Sequence, residues 1–112
     1  MFYRIKFDNT IGVILRNSGY GDTSAQLAVW PAGLSGALIK KYKSLGIKPV
    51  EAAILGIAAF CSSDESSEHI RPAGLTDEER RNILIAAQFE ATKDKSLNGA
   101  YAVCENELSR LS

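Results

Sequence analysis

Along the first third of the chain, apolar and polar residues alternate in short runs. Residues 2 to 7 place Tyr3, Ile5 and Phe7 on one face and Phe2, Arg4 and Lys6 on the other, which is the period of a half-buried strand. Asp8-Asn9-Thr10 supplies turn chemistry. The β-branched stretch from Ile11 to Arg16 is short enough to pair back as the second arm of a hairpin. Asn17 through Asp22 breaks that run. Gln26 to Trp30 reads as a third strand, closed by Pro31, whose missing N–H cannot continue a central ladder. The pattern therefore predicts a three-strand antiparallel meander over residues 1–31.

Beyond Pro31 the period changes to that of helices. Ser35 stands where it can cap a helix from Gly36 to Leu45, and Gly46 occupies the position expected of a terminating glycine. Pro49 opens the next helix. From Val50 to Phe60 only Glu51 is charged, so this helix is apolar all round and has to be wrapped by other elements or by a second subunit. Ala52, Ala53 and Gly56 leave room for a neighbouring backbone to come close. Ser62 to Glu68 is polar and acidic and reads as a solvated loop.

Thr76-Asp77-Glu78-Glu79 is a capping box: the threonine hydroxyl accepts from the third helical N–H while the glutamate reaches back to the N–H of the cap. The helix it starts is expected to pass through Ile83, Leu84, Ala87 and Ala91 to about Lys95, with Asn98-Gly99 breaking or kinking it. Leu97, Tyr101, Cys104, Leu108 and Leu111 follow at alternating intervals of four and three, a narrow seam of the kind two helices share. Together these elements predict one α+β domain over residues 1–112. It comprises the meander (1–31), a helical pair (35–61) and C-terminal helices (76–111), about four helices in all. A chain of this length has difficulty covering three strands and an all-apolar helix, so a homodimer or higher homo-oligomer is expected.

Charge narrows the choice of partners. The 112 residues carry 13 basic and 13 acidic side chains, a net charge of zero, which removes the long-range field used by generic binders of duplex nucleic acid or anionic membranes. The longest apolar run, Ala52 to Cys61, is about half of the roughly twenty residues needed to cross a bilayer. Arg4 and Lys6 interrupt the N-terminal apolar residues where a signal peptide would need a continuous core. Cys61 and Cys104 each sit in an apolar helical pattern and read as small buried thiols. A cytoplasmic location is expected.

Catalytic material is sparse. The sole histidine, His69, reads as an exposed loop residue beside the acidic stretch, and one histidine with two distant cysteines argues against a zinc site. No nucleophile-elbow, zinc-protease or phosphate-loop spacing occurs, so neither an enzyme nor a bound cofactor is expected. Binding has more to work with. Arg16-Asn17-Ser18-Gly19-Tyr20-Gly21-Asp22 joins an arginine and an aromatic to two glycines, although it lacks the third glycine of a dinucleotide fingerprint and leads to a predicted strand rather than a helix. Arg71 precedes Pro72, and Arg110 lies near the C-terminus. In a dimer, arginines and aromatics from two subunits would meet in one recess and hold a phosphorylated, ring-bearing ligand. Lys40, Lys41, Lys43 and Lys48 read as a solvated helix face, and Trp30 as a core or interface anchor.

The stretches Gly19-Tyr20-Gly21-Asp22, Ala28-Val29-Trp30-Pro31 and Pro49-Val50-Glu51-Ala52-Ala53, with Arg71 ahead of the capping-box helix, give a layout that resembles the phage Thoeris anti-defence sponges of the first-described type. The resemblance implies an N-terminal antiparallel sheet, C-terminal helices, an oligomer, and sequestration of a cyclic nucleotide such as a cyclic ADP-ribose isomer without turnover. It would place such a protein in the cytoplasm of an infected bacterium. Under it, Arg16, Arg71 and Arg110 would neutralise phosphate, Tyr20 would stack on adenine, and Asn98 would read ribose or base edges. The competing expectation is a small inhibitor or immunity-type protein that docks on a larger target through the acidic 64–68 surface.

Overall fold

The computed structural model describes residues 2–19, 30–31, 33–62 and 75–111. Its elements are α1 (Phe2–Asn17), α2 (Leu34–Ser44), α3 (Pro49–Phe60), α4 (Asp77–Ala91), a 3-10 turn (Lys95–Leu97) and α5 (Asn98–Arg110). No strand occurs among the described residues, so the fold is all-α and the expected three-strand sheet is overturned. Both arms of the expected hairpin belong to one helix, α1. The third expected strand, Gln26 to Trp30, falls outside the described residues except for Trp30.

The physical reason lies in the longer period. Phe7, Ile11, Ile14, Leu15 and Ser18 are all buried and recur every three to four residues, which is one face of a helix. Alternation over residues 2 to 7 is too short a window to tell the two periods apart. The residues that resembled a turn are absorbed by the helix instead. Asp8 accepts from Arg4 Nε one turn back at 3.1 Å, and the Thr10 hydroxyl donates to the Lys6 carbonyl at 2.8 Å.

Helix α3 is the centre of the fold, as an all-round apolar helix has to be. All four other helices pack on it, and none of its residues is exposed. Pro49 sits in its first turn, and Gly46 ahead of it takes φ 76°, a left-handed conformation that ends α2. The space over Gly56 is filled by side chains rather than by a neighbouring backbone. A Cβ placed there would lie 3.0 Å from Leu38 Cδ1 and 3.7 Å from Phe7 Cζ.

Ser35 does not cap α2. The helix starts after Gly33, whose φ is 85°, and Ser35 is buried one position inside it, where its hydroxyl accepts from Trp30 Nε1 at 3.0 Å. Trp30 in turn packs against Phe60 with ring centroids 5.0 Å apart. The indole thus acts as an anchor for the core, with its one donor satisfied.

The capping box forms as predicted, with Glu79 N donating to Thr76 Oγ1 at 3.1 Å and Thr76 N donating to Glu79 Oε1 at 2.9 Å. Helix α4 ends at Ala91, and Asp94 then caps the 3-10 turn by accepting from Ser96 N at 2.9 Å. Asn98-Gly99 opens α5 rather than interrupting a longer helix. The seam on α5 finds its partners within the chain, because α5 packs on α4 and α3. Leu97 and Cys104 are buried, Leu108 and Leu111 are half-buried, and Tyr101 alone faces outward. Arg81 closes this end by donating to the Leu111 carbonyl at 3.1 Å.

Candidate functional site

A recess of about 640 Å³ opens where α1, the start of α3 and the end of α4 converge. Each wall has a local cause. Pro49 starts α3 at this point, so the helix presents its first turn to the cleft. Lys48 is the N-cap residue, and no side chain caps this helix start, unlike that of α4. From the opposite wall come Glu90 and Lys93 at the end of α4, followed by Asp94 and Ser96 of the turn, and Lys6 projects from α1.

Three lysines and three carboxylates line this cleft, yet their charges are not equally available. Glu90 is largely buried and receives Lys93 Nζ at 2.8 Å. The Asp94 carboxyl is held below the usual carboxylate range by hydrogen bonds from the backbone and side chain of Ser96, with a smaller contribution from the Lys48 cation. Glu90 is therefore paired, whereas Asp94 keeps its negative charge in the field of Lys48. Lys6 and Lys48 form no direct ion pair or side-chain hydrogen bond among the described residues, although Lys48 acts on the Asp94 carboxylate, and Glu51 is likewise outside any direct ion pair. The charges lining the cleft balance, three ammonium groups against three carboxylates, with Lys6 and Lys48 outside any direct ion pair among the described residues.

A second recess of about 450 Å³ adjoins this cleft and shares Lys6 and Pro49 with it; its other walls are Phe2, Tyr3 and Ile5. Tyr3 is held in place by its hydroxyl, which donates to the Ile47 carbonyl at 2.6 Å, and burial followed by the Glu51 charge raises its pKa. Phe2 is 88% exposed and Ile5 52% exposed, so the apolar wall stands open to solvent. On α4, Ile85 and Phe89 form another exposed apolar stripe beside Asn17 and Ser18.

A different polar group lies at the far end of α3. Burial pushes the Cys61 thiol far up against the lowering influence of the Arg80 cation, while Cys104 and Glu107 add to the rise. Cys104 is pushed up to about 12, by burial first and then by Glu107. Both thiols are fully buried and, being protonated, chemically quiet. Arg80 Nε and Glu107 Oε2 are buried beside them without a hydrogen-bond partner, although Arg80 reaches Asp77 and Glu107 reaches Arg110 through their other atoms, each at 3.3 Å.

Of the site residues expected from the sequence, Arg16, Asn98 and Arg110 are described. Arg16 ends α1, Asn98 begins α5 and Arg110 lies in the last turn of α5, and none of the three lines the cleft or the recess beside it. Tyr20, Arg71, His69 and the acidic residues 64–68 lie outside the described residues. Lys40, Lys41 and Lys43 are exposed on α2, as a solvated face requires, and Lys48 alone of that cluster enters the cleft. Sequence reasoning missed Lys6, Lys93 and Phe2. For Lys6 and Phe2 the cause is the strand reading, which treated them as the polar and apolar members of one alternating face. The Asp94-x-Ser96 spacing was the available signal that the chain turns at this wall.

No helix among the described residues is long and apolar enough to cross a membrane, and no three of their histidine, cysteine, aspartate or glutamate side chains are grouped as a metal site. No protein-family model, curated protein or solved structure matches the chain.

Proposed function

We propose that this chain is a binding protein that holds a small anionic molecule in the α1–α3–α4 cleft without turning it over. The ligand proposed is a cyclic nucleotide signal, such as a cyclic ADP-ribose isomer, whose sequestration would block a bacterial anti-phage defence. The observation that carries the reading is the pair Lys6 and Lys48, neither in a direct ion pair, lining a cleft of about 640 Å³. That volume is in the range of small-molecule sites, and charge-assisted bonds from two lysines suit a phosphate group. The uncapped first turn of α3 adds a favourable dipole on the same side.

Native mass spectrometry and calorimetry with a panel of cyclic ADP-ribose isomers and cyclic oligonucleotides test it. The expected result is retention of intact nucleotide by the wild-type chain. Replacing Lys6 and Lys48 together by alanine should weaken binding by roughly a hundredfold or more, taking about 1.5 kcal/mol or above for each charged hydrogen bond. Arg16→Ala and Arg110→Ala, at positions outside the cleft, should leave affinity unchanged. Retention of nothing from the panel, or equal binding by the double variant, overturns the proposal.

A second reading, a small inhibitor docking on a larger protein, draws on the exposed Ile85 and Phe89 stripe rather than on the 64–68 surface. The same stripe is where a homodimer would form, and the mass measured in the native spectrum decides between one copy and two.

A further inference from the structure

The cleft and the apolar recess beside it share two residues, Lys6 and Pro49, so they are adjoining parts of one surface depression. Their linings differ sharply. The larger part is lined by charges of both signs and holds Lys48 and Lys6 outside any direct ion pair, whereas the smaller is walled by Phe2, Tyr3, Ile5 and Pro49, with only Lys6 charged. We propose that the two parts form one bipartite site for an aromatic anion, with the anionic group between Lys6 and Lys48 and the ring of the ligand against Phe2 and Ile5. The inference rests on the reading of the cleft as an anion seat and adds to it the place where the ring of the ligand sits.

Three features support this assignment. Phe2 is the most exposed large apolar residue described in the chain, and a phenyl ring 88% exposed beside an open recess offers a stacking face. Tyr3 is tied to the Ile47 carbonyl and Pro49 is rigid, so the walls opposite Phe2 are already in place before any ligand arrives. Lys6 belongs to both parts, which puts the cation at the junction between ring and anionic group. A ligand with only one of the two moieties would leave half of the depression unused. Joining them makes the second contact intramolecular, and the affinities reinforce each other.

The test uses the full chain and three probes: 1-naphthyl phosphate, inorganic phosphate and 1-naphthol. By calorimetry, 1-naphthyl phosphate is expected to bind roughly tenfold or more tightly than either fragment, the scale of one ring stacked on an aromatic side chain. Phe2→Ser should lower its affinity by about fivefold or more without changing that of inorganic phosphate, and Phe2→Trp should retain it and show quenched fluorescence on binding. Because Phe2 is exposed, its replacement leaves the core intact, which circular dichroism checks. Equal affinities for 1-naphthyl phosphate and inorganic phosphate, or no effect of Phe2→Ser, overturn the bipartite site. Retention of a cyclic nucleotide with unaltered affinity in Phe2→Ser overturns this inference alone, while binding of 1-naphthyl phosphate with no nucleotide retained overturns only the identity of the signal proposed above.

Discussion

The two ends of α3 meet opposite surroundings. At its N-terminal end the helix opens onto a cleft where Lys6, Lys48 and Glu51 hold no direct ion pair, and where Phe2 and Ile5 lie exposed nearby. At its C-terminal end, Phe60 and Cys61 are sealed, Arg80 and Glu107 are drawn down beside the thiols, and little is left for a ligand. Both ends combine charged and apolar residues. What separates them is desolvation: charges taken out of water have to be matched by the protein, whereas charges at a wet rim stay available. The unmatched Arg80 Nε and Glu107 Oε2 mark how far the sealed end has gone in that direction.

The largest effect that should expose this contrast is at the sealed end. Phe60→Ala empties a fully buried position against Trp30 and is expected to cost about 3–5 kcal/mol in urea unfolding, or to prevent folding. A cost below about 1 kcal/mol would mean that this end is not the packed core.

Next comes the pH dependence set by the two thiols. Their folded pKa values are raised above the ordinary 9.0, so the folded chain keeps protons that the unfolded chain releases. The stability they contribute is full below pH 9 and is lost as pH rises from there toward the folded values, at about 1.4 kcal/mol per pH unit for each thiol. Urea unfolding at pH 8 and pH 10 should show the fall, and Cys104→Ala should make it about one thiol shallower. Ready alkylation of the native chain at pH 8, without denaturant, would contradict the burial behind both statements.

The smallest effect belongs to the open end. Replacing Lys6 and Lys48 by alanine should change stability by no more than about 0.5 kcal/mol for each, since neither holds an ion pair, while abolishing most of the anion affinity. A large loss of stability would make the cleft lysines structural and remove the contrast between the two ends.

Much of the helical half was legible because its signals are local. The capping box at Thr76, the proline that opens α3 and the glycine at position 46 each act through the backbone within one turn, and each does what its chemistry predicts. Helix α1 was misread because its first six residues satisfy a two-residue period as well as a helical one. The buried set from Phe7 to Ser18 resolves the question only when the window is lengthened. Ser35 shows the other kind of failure. Its hydroxyl suits a cap, but the indole of Trp30 is close enough to claim it, and that contact depends on where Phe60 puts the tryptophan ring. The α5 seam was read correctly as a packing surface, but its partners were left open because a period says which face is apolar and not what will cover it.

The order of amino acids by itself determined where α3 and α4 start, the glycine that ends α2, that α3 would be central, and that the two cysteines would be buried, because propensity, capping and apolar period act over a few residues. Only the tertiary structure decided which charges meet. Lys6 and Lys93 are far apart in sequence and share a cleft because α1 and the end of α4 both pack against the start of α3. It also decided which of those charges remain unspent, since that depends on the depth at which each group is held and on the partner that arrives beside it.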